Sequence, residues 1–539
     1  MELSKKLLFT EEEFGYNSIL NGTSIKGSYS TMQFVLRLRD DVRAALNNDE
    51  QEYEYERIQA TSTSIHENIH WWQHVGSNFG FMFSLAYPAF AHISMQNFEN
   101  IINQGLLHKS IIKFDEQYYA KNGIADILDI NNILNNYYDF ENFKSFTLDN
   151  KNIKVLNENK RFFLNIGHCF HTFWSSIIET IAQTIDQDYK FLPAINDWVE
   201  NFILLEKNKS IGFFVGTPTH ISPIGIKAIF EGQAMYNQMQ YLTVTLNKHL
   251  TYSDFEKSGL IYGIYAEAFD LFLDITKLER PENLLDSIIG LFLLVCDLSI
   301  NPNNGFPLEI YDYKEFITKN DPGIRFTKIC SSIAENSSMY IQKIKYYSKD
   351  EYVKLSKELS EKIGCVCPYE SISAVLNWGK EKEVAKILSE ETECKFSEEN
   401  LPIRLMFSKY FRFQEDKQKY PNVFCWFGFH STTENPNVDF EIVDSLFKKH
   451  HALIIDDYNG EIKATIFENI ENENIMNTFN LFYAYNILYD LTLKWVSEEG
   501  EFRYDYKWLA GDRAETFIPT IKANFKRQFG IEIETINLL

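Results

Sequence analysis

Two histidines and a glutamate within five residues form the part of the sequence best suited to chemistry. His66 and His70 are four residues apart, and Glu67 lies between them. Residues four apart on an α-helix share one face, so both imidazoles can reach a single cation. Glu67 would project beside that cation, where a carboxylate can act as general base toward water and then protonate a leaving group. The spacing therefore predicts a metal site that supports hydrolysis.

The residues around this motif predict a buried helix over 60–76. Ile65, Ile69, Trp72 and Gly76 recur at helical spacing, and the serines and threonines before Ile65 can cap the start of the helix. With 12 histidines in the chain, roughly 0.02 such patterns are expected by chance in a sequence of this length. The alternative interpretation is a surface helix that binds no metal, which the apolar spacing disfavours.

The pattern resembles the signature helix of the zincin metallopeptidases, over about fifteen residues. This resemblance implies that His66 and His70 bind Zn²⁺ and that Glu67 is the general base. The metzincin extension of the signature is absent, because Gln73 and Gly76 stand where that extension has glycine and histidine. The remaining resemblance is to the gluzincin branch, in which a glutamate on a later helix is the third ligand.

His74 follows the motif closely but is not expected to bind the same metal. It lies two helical turns beyond His66, which is about 12 Å along the axis. We expect His74 and Gln73 to supply polar contacts behind the ligands or on the substrate side.

Glu231 is the preferred third ligand under the gluzincin resemblance. It lies in an apolar stretch, and Gly232 would allow another helix to approach closely. Ser222 followed by Pro223 is typical of a helix start, which predicts one helix from Pro223 to about residue 246. A carboxylate buried in such a helix is costly unless it is paired or bound to a metal.

Three alternatives to this assignment remain open. Glu231 could pair with Lys227, one turn earlier on the same helix. Glu179 is the second candidate ligand, because it belongs to a polar stripe on the apolar helix predicted at 162–188; that stripe could equally be the solvent face. Glu267 is a third candidate.

Zinc hydrolases also need a group that stabilises the developing oxyanion, commonly His, Tyr or Arg. His220 lies in the loop that leads into the predicted Glu231 helix, so it is the candidate for this role. Tyr236 and Tyr262 are the alternatives.

The elements that must position these residues are mainly helices, and the predicted fold class is mainly α, with α+β character overall. We predict an N-terminal mixed α/β segment (1–57), a helical, zincin-like metallohydrolase domain (58–400) and a C-terminal α+β domain (401–539). Among the predicted helices are 78–106, 324–346 and 370–390. In the C-terminal part, two strands are predicted around a type I′ turn at Asn459-Gly460.

Composition narrows the function classes. The chain carries 52 basic and 75 acidic residues, a net charge of −23, which disfavours nucleic acid as a partner. The most apolar stretch, 284–300, contains two aspartates and predicts a buried helix, so no membrane association is expected. Seven scattered cysteines and no secretory signal favour the cytoplasm.

The sequence therefore predicts a cytoplasmic zinc hydrolase acting on a peptide or protein substrate. A di-iron helical protein would require a second Glu-x-x-His pattern, which the sequence lacks. A non-catalytic regulatory or interaction protein that keeps the metal as a scaffold is the remaining alternative.

Overall fold

Long helices joined by short connections make up most of the structure, a computed structural model. It describes residues 3–8, 34–122, 127–149, 161–218, 220–246, 250–431, 439–456, 462–467 and 469–539. The prediction of a mainly α fold is confirmed.

The α-helices of the described residues are Lys5–Leu8, Asp40–Leu46, Glu54–Gly76, Asn78–Ser84, Ala86–Asn103, Ile111–Asn122, Leu128–Leu148, Ile166–Ile185, Trp198–Lys207, Ile226–Thr245, Tyr252–Ser258, Ile264–Thr276, Ser287–Ser299, Phe316–Asn320, Pro322–Ala334, Ser337–Ile341, Lys349–Lys362, Pro368–Trp378, Lys382–Glu393, Leu401–Lys419, Pro421–Cys425, Phe427–His430, Phe440–Lys449, Asn472–Ser497, Lys507–Ala510 and Ile518–Phe529. The strands are β1 (Val35–Leu36), β2 (His108–Lys109), β3 (Ile454–Asp456), β4 (Ile462–Ala464) and β5 (Asn537–Leu538).

The helix that carries the His-Glu-x-x-His motif, Glu54–Gly76, is called the histidine helix below. It begins earlier than predicted. The hydroxyl groups expected to cap it donate instead to carbonyl groups inside the helix: Ser62 Oγ to Gln59 O at 2.7 Å and Thr61 Oγ1 to Arg57 O at 2.8 Å. Serine and threonine can make such internal bonds, so they did not mark the helix start.

The helix that carries Glu231, Ile226–Thr245, is called the glutamate helix. The predicted start at Ser222-Pro223 is wrong, because Gly225 is extended and precedes the first helical residue. A Cβ at Gly225 would lie 2.1 Å from the carbonyl oxygen of Leu148, so another helix end comes too close for any other residue there. This tertiary contact fixes the start of the helix.

Three other predicted helices are divided in the structure. Leu85 interrupts the helix predicted at 78–106 with a non-helical backbone conformation (φ −90°, ψ 5°), and short connections divide the other two. The observed pairs are Asn78–Ser84 with Ala86–Asn103, Pro322–Ala334 with Ser337–Ile341, and Pro368–Trp378 with Lys382–Glu393.

The two predicted C-terminal strands are present as β3 and β4, which pair antiparallel. Their predicted turn at Asn459-Gly460 lies outside the described residues. β1 pairs in parallel with β3, with Val35 opposite Ile454, and so joins the N-terminal part of the chain to the C-terminal part. A second small sheet pairs β2 with β5 in parallel.

One apolar core runs through the described chain, from Leu8 to Ile536. The segment after residue 400 contacts the histidine helix directly: Trp72 Nε1 donates to His450 O at 2.8 Å, and Gln414 Nε2 donates to Gly76 O at 3.0 Å. The domain boundaries at 57 and 400 stay predictions.

The glutamate helix packs against the histidine helix and also against Ile264–Thr276 and Ser287–Ser299. At Gly232 a Cβ would approach Phe292 Cζ to 3.2 Å and Ala268 Cβ to 3.3 Å. Gly232 therefore permits the close approach of helices that the sequence predicted.

The apolar stretch 284–300 is the buried helix Ser287–Ser299, as predicted. In the part of the chain that the structure describes, no helix combines the length and apolar character needed to cross a bilayer.

His450 generates a prediction about acid stability. Its Nε2 lies 2.8 Å from Asp416 Oδ2 and its ring stacks on Phe413, with centroids 4.0 Å apart. Burial lowers the pKa of His450 from 6.5 to about 4, although Asp416 opposes the shift. Between these values the unfolded chain binds the proton more readily than the folded protein, so the free energy of unfolding falls as pH drops.

We expect His450→Gln to flatten that fall by up to roughly 3 kcal/mol between pH 6.5 and 4, because one pKa unit corresponds to about 1.4 kcal/mol. Denaturant unfolding at a series of pH values measures it. His220→Gln, at an exposed histidine outside the contact with Asp416, controls for the exchange of a histidine for glutamine. An unchanged slope in His450→Gln would contradict the prediction.

Candidate metal centre

The structure brings the three predicted ligands together at the contact between the histidine and glutamate helices. The Nε2 atoms of His66 and His70 are 3.1 Å apart. Glu231 Oε2 lies 3.4 Å from His66 Nε2 and 3.3 Å from His70 Nε2. Three corners of a tetrahedron around a zinc ion, with bonds of about 2.0–2.1 Å, are separated by about 3.3–3.4 Å. The three donor atoms are therefore spaced to occupy three corners of a tetrahedral site.

This group stands out from the remainder of the described chain. Among the described residues it is the one set of three or more His, Cys, Asp or Glu whose ligand atoms all lie within 4.8 Å of one another. Two imidazoles and a carboxylate are a donor set typical of catalytic zinc. The group could therefore hold a metal ion, and zinc is the ion that this donor set favours.

All three side chains are buried. His66 is 6% exposed, and His70 and Glu231 are fully enclosed. Neither oxygen of Glu231 has a hydrogen bond of good geometry within the described residues. A buried carboxylate is unfavourable unless a positive charge compensates it, and a cation between Glu231 and the histidines would supply that charge.

The charges of the three side chains are strongly linked. Burial would raise the pKa of Glu231, but His70 and His66 reverse this and hold it below its usual range. Burial would lower the pKa of His70, but the Glu231 carboxylate outweighs it and raises the pKa to about 9. Burial dominates at His66 and lowers its pKa. A proton on His70 thus neutralises Glu231 where a metal would otherwise do so.

Glu67, the predicted general base, is buried at 1% exposure on the same helical turn as the ligands. Its negative charge contributes to the raised pKa of His70. This contribution is smaller than the effects of burial and of Glu231. The carboxylate therefore acts electrostatically on a ligand residue.

The other candidate ligands lie outside this group. Glu179 is partly exposed and accepts a bond from Gln183 Nε2 at 3.3 Å. Glu267 lines a surface cavity beside Tyr262. Within the described residues, Lys227 forms no ion pair with Glu231. The carboxylate of Glu231 faces the two histidines instead.

Two of the predicted oxyanion donors, His220 and Tyr236, lie in other surroundings. His220 is exposed and lines a small cavity with Ser222 and Asp321. Tyr236 shares a buried hydrogen bond with Tyr252, at 3.0 Å between the hydroxyl oxygens. No described contact joins any of these side chains to the ligands, and the role given to His220 stays a prediction.

The sequence does not predict that Tyr265 lies beside the ligands. Its ring packs edge-on against His66, with centroids 6.1 Å apart, and it is buried. No spacing rule links positions 66 and 265, because the contact arises where Ile264–Thr276 packs against the glutamate helix.

Gln73 and His74 occupy different places behind the ligands. Gln73 Oε1 lies 2.8 Å from His70 Nδ1. His74 is buried edge-on against Phe230, with centroids 5.1 Å apart, and burial lowers its pKa well below the usual value. His74 is not among the three residues of the ligand group.

The fold and the site define a mainly helical protein with a buried His-His-Glu group that fits a metal ion. The chain matches no protein-family model, no curated protein and no solved structure. The assignment of the centre therefore depends on the donor atoms and their geometry.

This geometry predicts one tightly bound Zn²⁺ per chain. We expect Glu231→Gln to weaken zinc binding by more than roughly 100-fold, because it removes one of three ligands. Glu179→Gln is the matched control and should bind zinc as the wild type does. Competition with a chromophoric chelator measures the affinity, and equal binding by both variants would remove Glu231 from the ligand set.

Proposed function

We propose that the protein is a zinc-dependent hydrolase that cleaves peptide bonds. The observation that carries this proposal is the tetrahedral spacing of His66, His70 and Glu231, with Glu67 buried beside them. When bound there, zinc would polarise a carbonyl oxygen and lower the pKa of a coordinated water. The class of reaction comes from the resemblance of the motif to zincins and from this donor set.

Glu67 is the residue that moves the proton in this proposal. It precedes His70 by three positions, so its carboxylate shares the face of the helix that carries the ligands. Glu67 can thus accept a proton from the attacking water and deliver it to the leaving amine.

The substrate would approach from the side of His66, the most exposed of the three ligands. Tyr265 contacts His66 on one side and Tyr262 on the other, with ring centroids 6.1 and 6.0 Å apart. Tyr262 and Glu267 line a cavity of about 600 Å³. This chain of contacts connects the ligand group with the cavity, which we assign to the incoming substrate.

The compartment and partners belong to the same proposal. All seven cysteines are free, which is typical of proteins in the reducing cytoplasm. The net charge of −23 disfavours nucleic acid, so a peptide or protein substrate is the partner we propose.

Burial of the site favours a second candidate function. His70 and Glu231 are enclosed and Glu67 is 1% exposed, whereas a hydrolase must admit a carbonyl group to its metal. A regulatory or interaction protein that uses the metal to hold two helices together would need no such access.

Glu67→Gln separates the two functions. As a hydrolase, this variant should bind zinc like the wild type but lose activity by a factor of 10²–10⁴ or more, an order-of-magnitude range for a general base. Cleavage of a quenched fluorescent peptide library by zinc-loaded protein measures activity, and chelator competition measures binding.

The control is Glu54→Gln, an exposed position at the start of the same helix, which should retain full activity. Zinc binding by the wild type without cleavage above the Glu67→Gln level would overturn the hydrolase and favour the regulatory protein.

A further inference from the structure

Gln73 makes three polar contacts that connect the ligand helices. Its Oε1 lies 2.8 Å from His70 Nδ1. Its Nε2 lies 2.9 Å from the carbonyl oxygen of Phe230 and 2.9 Å from Gln233 Oε1. Gln73 is on the histidine helix, whereas Phe230 and Gln233 flank Glu231 on the glutamate helix. One buried side chain thus touches a ligand on one helix and the backbone next to a ligand on the other.

These contacts determine the orientation of the Gln73 amide. The carbonyl of Phe230 can only accept, so the NH₂ group of Gln73 must face it and the oxygen must face His70. An amide oxygen can also only accept, so Nδ1 of His70 must be the donor and carry a proton. Nε2 is then the nitrogen whose lone pair is available to a metal.

We propose that Gln73 is the positioning residue of the centre: it keeps the proton of His70 on Nδ1 and holds His70 and Glu231 in register. This inference rests on the metal site of the proposed function. Because the amide is neutral, it adds no negative charge behind His70, and an ion held by the three ligands would keep more of its positive charge than with a carboxylate in that place.

Gln73 contacts both ligand helices and can therefore hold them in register. The bond from Gln73 to Phe230 O fixes the backbone one residue before Glu231. The ligand distances of 3.1–3.4 Å therefore depend on a side chain that does not bind the metal. Without it, His70 could rotate and the two helices could shift along each other.

The test uses the full chain with Zn²⁺ alone and with Co²⁺ as a spectroscopic probe. Gln73→Met keeps the length of the side chain but removes its hydrogen bonds. We expect its zinc affinity to fall about 10–100-fold, and the absorption of the Co²⁺ form to change in intensity because the ligand geometry is altered. Chelator competition and absorption spectra give both readouts without an activity assay.

Gln59→Met is the matched control, because Gln59 is a buried glutamine of the same helix that bonds Ser4 N and not a ligand. Gln59→Met should lose as much folding stability as Gln73→Met, while its zinc affinity and Co²⁺ spectrum stay at wild-type values. Gln233→Ala leaves Gln73 its bond to Phe230 and should cost less affinity than Gln73→Met.

The outcomes separate this inference from the proposed function. If the wild type binds no zinc, both are overturned. If it binds zinc and Gln73→Met binds as tightly with an unchanged Co²⁺ spectrum, the positioning role alone is overturned. Equal losses of affinity in Gln73→Met and Gln59→Met would overturn it as well, since they would reflect general packing.

Discussion

The buried carboxylate of Glu231 is the constraint on which the arrangement of the ligand helices depends. A carboxylate moved from water into an enclosed site loses several kcal/mol of solvation unless charged or donor groups replace the water. Here the replacement comes from His66 and His70, whose Nε2 atoms lie 3.4 and 3.3 Å away. The close packing of the glutamate and histidine helices is tolerable because these groups meet, with a proton or a metal ion between them.

Parts of the chain distant in sequence brace this contact. The C-terminal segment binds the histidine helix through Trp72 and Gly76, and Ala452 N donates to Asn68 Oδ1 at 3.0 Å. On the other side, Gly232 lets two further helices press against the glutamate helix. A buried ligand group needs such support, because ligand atoms must be held within fractions of an ångström of their working positions.

Burial has opposite effects on stability and on reactivity. Enclosure strengthens the electrostatic effects of Glu67 and Glu231 on any ion bound between the helices. It also restricts access, and His66 is the ligand with measurable exposure. Tyr265 packs against His66 and against Tyr262, and Tyr262 lines the surface cavity that we propose for the substrate.

The sequence by itself determined the mainly helical fold, the pairing of His66 with His70 and the identity of Glu231 as a buried polar residue, because helical periodicity and local spacing are written in neighbouring residues. It placed helix starts at Ser222 and near Ser62 wrongly. Gly225 is held extended against Leu148 O, and Ser62 bonds to Gln59 O within a helix that already begins at Glu54. Only the tertiary structure decided that Glu231, and not Glu179 or Glu267, meets the histidines, and that Gln73 and Tyr265 adjoin them. Such contacts join helices far apart in the chain, and their distances follow from packing, for which no local pattern exists.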